Sequence, residues 1–151
     1  MICLTNWIIT FMARRKKNKI FVDTLYWIAI TNPNDPWHKP SMKAKATLGQ
    51  VHLVTTDEVM MEFLNAFSAQ GEYFRRRAAE TARTLMAEVA VIPQTHFTFL
   101  RGLDLYEKRP DKKYSLTDCV SMIAMRDESI TDILTNDHHF EQEGFRVLIR
   151  K

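Results

Sequence analysis

The sequence predicts an α/β domain with a mostly parallel sheet covered by helices on both faces. Three observations predict it. Five short runs rich in β-branched and aromatic residues alternate with segments of helical periodicity, the order that parallel strands and their crossovers require. The 151 residues suit one domain with a real core. Hydrophobic residues at 46% and charged residues at 26%, without repeats or low-complexity tracts, place the chain among soluble globular proteins.

The elements follow in order. Lys19-Ile20-Phe21-Val22-Asp23 reads as the first strand. An apolar helical segment, Leu25 to Ile30, runs into the turn cluster Asn32-Pro33-Asn34-Asp35-Pro36. A helix is predicted from Trp37 to Leu48, stopped by Gly49, and His52-Leu53-Val54-Thr55 is the second strand. Thr55 with Glu58 reads as a capping box for the next helix, which carries Val59, Met60, Phe63, Leu64 and Phe67 at helical spacing and is closed by Gly71. A further helix spans Glu72 to Glu88. The third strand is Val89 to Ile92, ended by Pro93, and a helix covers Thr95 to Glu107. After the turn Arg109-Pro110-Asp111, Ser115 with Asp118 signals the start of a helix through Arg126. Thr131 to Thr135 is the fourth strand, His138 to Glu141 a helical turn broken by Gly144, and Phe145 to Ile149 the fifth strand.

Composition narrows the function classes. Cys3 and Cys119 form neither a metal-ligand spacing nor a disulfide framework, which suits a reducing cytoplasm. The apolar stretch Met1 to Met12 is too short to span a membrane, and its basic residues follow rather than precede it, against the order of a signal peptide. Residues 1–18 read as a flexible extension and 19–151 as the folded domain. The net charge of +3 is concentrated in Arg14-Arg15-Lys16-Lys17 with Lys19, in Arg75-Arg76-Arg77, and in Lys108-Arg109 with Lys112-Lys113. Such clusters suggest a polyanionic partner. Each cluster taken singly reads more simply as a solvated surface.

Four acids stand out. In an open parallel sheet, ligands bind beyond the carboxyl ends of the strands. Asp23 ends the first strand, Asp137 lies just past the fourth, Glu62 sits on the helix after the second, and Asp118 lies in the first turn of its helix. Each has an ordinary reading: Asp23 and Asp137 as turn caps, Asp118 as the acidic partner of a helix N-terminus, Glu62 as a surface residue. Their surroundings favour a shared site. Asp23 leads into an apolar segment, Glu62 borders the apolar stripe of its helix while Glu58 falls on the opposite side, and Asp118 opens a helix that is apolar nearly all round. A carboxylate on a buried helix needs a partner or a cation, and no lysine or arginine lies within a turn of Asp118. Four neighbouring carboxylates repel, and a hard divalent ion such as Mg²⁺ or Mn²⁺ removes that cost. The composition fits metal-assisted phosphodiester hydrolysis.

The blocks Ile20-Phe21-Val22-Asp23-Thr24, Val59-Met60-Met61-Glu62-Phe63-Leu64-Asn65, Ser115-Leu116-Thr117-Asp118-Cys119-Val120-Ser121 and Leu134-Thr135-Asn136-Asp137-His138-His139-Phe140 resemble, in order, the acidic blocks of PIN-domain nucleases, and most of all the VapC-like ribonuclease toxins of type II toxin–antitoxin pairs. The resemblance covers the chain from about Lys19. It implies a three-layer α/β/α fold on a five-stranded parallel sheet in the order 3-2-1-4-5, with the first and fourth strands adjacent. It implies Asp23, Glu62, Asp118 and Asp137 as catalytic metal ligands for one or two Mg²⁺ or Mn²⁺ ions, and Thr135 as a supporting hydroxyl. Asn136 stands where some relatives carry an acid. An RNA substrate, an antitoxin partner and a homodimer are implied as well. Two other readings stay open: the same fold acting in RNA processing or on other nucleic acid, and a non-catalytic binding module.

Other residues carry less. His138 and His139 adjoin Asp137 and invite a general-acid or metal role, although histidines after a loop are more often surface or packing residues. His38 and His96 show no pattern that assigns them one. Cys119 sits on the apolar side of its helix and reads as a structural thiol. Phe63, Phe67, Tyr73 and Phe74 form either core or a groove for a partner segment.

Overall fold

The structure, a computed structural model, describes residues 18–151. Residues 1–17 of the expected N-terminal extension, with Arg14 to Lys17 of the first basic cluster, lie outside the described residues. The strands are β1 (Lys19–Val22), β2 (His52–Thr56), β3 (Ala90–Ile92), β4 (Asp132–Leu134) and β5 (Arg146–Val147). The helices are α1 (Thr24–Thr31), α2 (His38–Ala46), α3 (Asp57–Ala66), α4 (Glu72–Glu88), α5 (His96–Lys108), α6 (Leu116–Asp127) and α7 (His138–Gln142).

All strand pairs are parallel, in the order β3-β2-β1-β4-β5. The chain winds outward from β1 to β3, then returns to β4 and winds the other way to β5. With right-handed crossovers this reversal puts α1–α4 and α5–α7 on opposite faces of the sheet. The central strand shows the consequence: Ile20, Phe21 and Val22 are all buried, as a strand covered on both sides must be. Phe21 pairs with Val54 on one side and Ile133 on the other. Around this centre, Trp27, Phe63, Phe67, Met122, Met125 and Phe140 complete a single core. Helices α5 and α6 approach closely at Gly102, where an added Cβ would fall 2.5 Å from Val120 Cγ2.

Three expectations about element ends need correction. The cap of α3 is Thr56, whose hydroxyl accepts from the Val59 amide, and not Thr55. Thr55 is still in the strand, fully buried, and its hydroxyl donates to the Val22 carbonyl of β1. With two threonines in succession, ladder pairing decided which one capped. Gly71 does not close α3, which ends at Ala66; it is the residue before α4, with φ of 88°. The fifth strand pairs only at Arg146–Val147, although the Leu148 and Ile149 amides donate onward to the Ile133 and Thr135 carbonyls.

Candidate active site

The reversal of winding falls between β1 and β4, so the loops leaving these two strands diverge and open a crevice at the carboxyl edge. A cleft of about 970 Å³ occupies that place. Asp23, Glu62, Asp118 and Asp137 all line it, together with Thr135 and Asn136. The fold therefore gathers every predicted site residue in one cavity.

Each acid is held differently. Asp23 follows β1; its amide donates to Leu134 O and its side chain is buried. It stands at the N-cap position of α1 but makes no capping bond, so the turn-cap reading does not describe it. Instead Asp23 Oδ2 accepts from the fully buried Thr135 hydroxyl at 2.8 Å. The same hydroxyl accepts from the Asp137 amide at 3.2 Å, so Thr135 ties the two strand-end acids together. Asp118 does serve its helix: Oδ2 accepts from the Ser115 amide at 2.7 Å, in a reciprocal capping box. Asp137 caps α7 through Oδ1 and the His139 amide at 2.9 Å. In both, the cap engages one carboxylate oxygen and leaves the other. Glu62, half-buried on α3, accepts from the Thr24 hydroxyl.

The electrostatics are those of an uncompensated cluster. No lysine or arginine forms an ion pair with any of the four acids among the described residues. Burial, aided by the charges of Asp118 and Glu62 and opposed by the Thr135 hydrogen bond, pushes the Asp23 carboxyl up to about 7. Burial also raises Asp118, with Asp137 and Glu62 adding to the effect and the Ser115 bonds opposing it. Burial pushes the neighbouring Cys119 thiol up to about 11, in keeping with a structural role.

Sequence reasoning gave too little weight to two residues. The oxygens of Asp118 and Asp137 and a ring nitrogen of His139 all lie within 4.8 Å of one another. Asp23 and Glu62 line the same cleft outside this tighter group. Among the described residues, Lys113 is the one lysine or arginine lining the cleft. Among the described residues, three other members of the expected basic clusters are engaged elsewhere: Arg76 pairs with Glu72, Arg75 donates to Ser68 O, and Arg109 pairs with Glu143. His38 holds the Ala29 carbonyl through Nδ1 at 2.7 Å, and His96 stacks on Phe99. Of the four aromatics left open, Phe63 and Phe67 are core, Phe74 stacks on Phe67, and Tyr73 is exposed.

This donor set fits a divalent cation. Its oxygens are hard ligands, the carboxylates pair with no lysine or arginine among the described residues, and the buried Nδ1 of His139 has no hydrogen-bond partner among them. Among the described residues no helix is long and apolar enough to cross a membrane.

Comparison with known proteins agrees with this picture. The family described as PIN domain matches residues 20–145. No curated protein matches the sequence. The structure superposes on that of Mycobacterium tuberculosis VapC20, a sarcin-ricin loop cleaving toxin, with a TM-score of 0.77 and 23% identity, over 87% of this chain and 99% of that one. A sheet ordered 3-2-1-4-5, a carboxylate cleft at its switch point and a family match over most of its length together make this chain a member of the PIN domain family of nucleases.

Proposed function

We propose that the protein is a divalent-metal-dependent endoribonuclease and the toxin of a type II toxin–antitoxin pair. The observation that carries the nuclease reading is the cleft lined by four carboxylates that pair with no lysine or arginine among the described residues. The likeness to a toxin that cleaves the sarcin-ricin loop supports RNA as the substrate and an antitoxin as the partner.

Asp23, Glu62, Asp118 and Asp137 would hold Mg²⁺ or Mn²⁺. When bound, such an ion supplies an activated water and charge stabilisation at the phosphodiester. The chain's own groups do the positioning. Thr135 fixes Asp23 and the backbone of Asp137 with one hydroxyl, so the two strand-end carboxylates cannot drift apart. The capping box fixes Asp118 at the mouth of α6. Lys113 supplies a positive charge for a substrate phosphate within the cleft, and Trp37, also lining it, offers a ring on which a base can stack. Asn65 and Gln142 offer amides for hydrogen bonding at the rim.

Changing Asp118 to Asn keeps an acceptor for the Ser115 amide but removes the charge. RNA cleavage in Mg²⁺ or Mn²⁺ falls by at least about a hundredfold, with circular dichroism unchanged, if the site acts as proposed. Cleavage by this variant at the wild-type rate refutes the assignment.

A further inference from the structure

We propose that His139 is a nitrogen ligand of the divalent ion in this cleft and biases the site toward Mn²⁺ over Mg²⁺. This rests on the reading of the cleft as a metal-dependent nuclease site. The geometry begins with a misfit. His139 Nδ1 lies 3.2 Å from Asp137 Oδ1, close enough for a hydrogen bond, yet the buried nitrogen has no partner in acceptable geometry. The His139 amide already donates to that same oxygen at 2.9 Å. Two donor atoms held about 3 Å apart without a bond between them match neighbouring ligands on an octahedral ion with bonds of about 2.1 Å. Asp118 brings a carboxylate oxygen into the same group.

The ring is braced in this position. Its edge meets Tyr114, with centroids 5.2 Å apart at 66°. Tyr114 is buried and its hydroxyl reaches Glu143 Oε1 at 3.2 Å and Gln142 Oε1 at 3.4 Å. Glu143 is clamped by Arg109 and Arg126. The next residue along the chain, Phe140, is fully buried and fixes the backbone. A ring held from behind and a nitrogen left free in front is how a ligand is presented. His138 lacks this setting: it is exposed, and its Nδ1 is engaged by Glu141 at 2.9 Å.

The donor type sets the preference. Mg²⁺ takes oxygen ligands almost alone, whereas a nitrogen donor favours first-row transition ions over Mg²⁺, with Mn²⁺ gaining least among them. An oxygen, oxygen and nitrogen group therefore discriminates where an all-carboxylate group does not. The test is Mn²⁺ and Mg²⁺ binding by calorimetry, with pulsed electron paramagnetic resonance of bound Mn²⁺. Wild type and His138→Ala are expected to show coupling to one imidazole nitrogen, and His139→Ala to lose it. His139→Ala should weaken Mn²⁺ about tenfold or more while Mg²⁺ changes by less than about threefold. Mn²⁺ that binds wild type without nitrogen coupling, or coupling that survives in His139→Ala, overturns the role of His139 and leaves the acidic site standing. Wild type that binds neither ion overturns both readings. The wild-type spectrum decides even if the variant misfolds.

Discussion

The two ends of the sheet treat their acids in opposite ways. At the amino edge, Asp132 is paired with Arg146 and Glu128 with Lys19. On the adjoining flank, Glu143 accepts from Arg109, Arg126 and Tyr114, and Asp127 from Arg101. At the carboxyl edge, among the described residues, Asp23, Glu62 and Asp118 have only hydroxyl or amide donors, and Asp137 adds only the nearby ring of His139. The titration behaviour splits accordingly. Glu143 is held below the usual carboxylate range: its burial works against ionisation, but the Arg109, Arg126 and Tyr114 bonds prevail. The Arg101 hydrogen bond lowers Asp127 in the same way. Asp23 and Asp118 are raised. A carboxylate whose counter-charge lies within the fold stabilises the fold. Carboxylates buried together without one leave a deficit that a cation from outside can fill.

The sharpest way to test this contrast is to neutralise one acid from each class. Glu143→Gln leaves two guanidinium groups and a phenol without their shared anion, and should lower unfolding stability by about 1.5–3 kcal/mol in urea titrations. If it costs nothing, the flank network is not structural.

The second test is pH. Asp23 is raised from 3.8 to about 7 in the folded chain, so folding favours its protonated form. Its contribution to stability is full below the unfolded value, shrinks as pH rises from about 4, and is gone above about 7. Metal-free Asp23→Asn should therefore gain stability relative to wild type as pH rises from 5 to 8, as thermal melts across that window will show. A difference independent of pH would mean that Asp23 is not strained by burial. The smallest effect belongs to the amino edge. Asp132→Asn, which removes the partner of the exposed Arg146, should change stability by less than about 1 kcal/mol.

Much of this was legible in the sequence, for physical reasons that differ from residue to residue. The alternation of strand and helix patterns carries the fold, since hydrophobic period is local. Ser115 and Asp118 announced their capping box because its members are three residues apart. Thr55 and Thr56 were confused because a choice between adjacent hydroxyls is made by pairing with β1, thirty-three residues away. The four acids were visible through strand-end position and family pattern. Lys113 was visible only as one member of a basic cluster, because nothing local says that the loop before α6 turns this lysine into the cleft. His139 was weighed but not chosen: its bracing by Tyr114 and Glu143 is tertiary, and only the short spacing from Asp137 hinted at it.

The most direct test of the central claim is cleavage of RNA by protein stripped with EDTA, with and without added Mg²⁺ or Mn²⁺. Loss of cleavage in EDTA and its return on adding either ion to wild type is the predicted result. Cleavage that continues undiminished in EDTA, or that no divalent ion restores to a protein still folded, would contradict it.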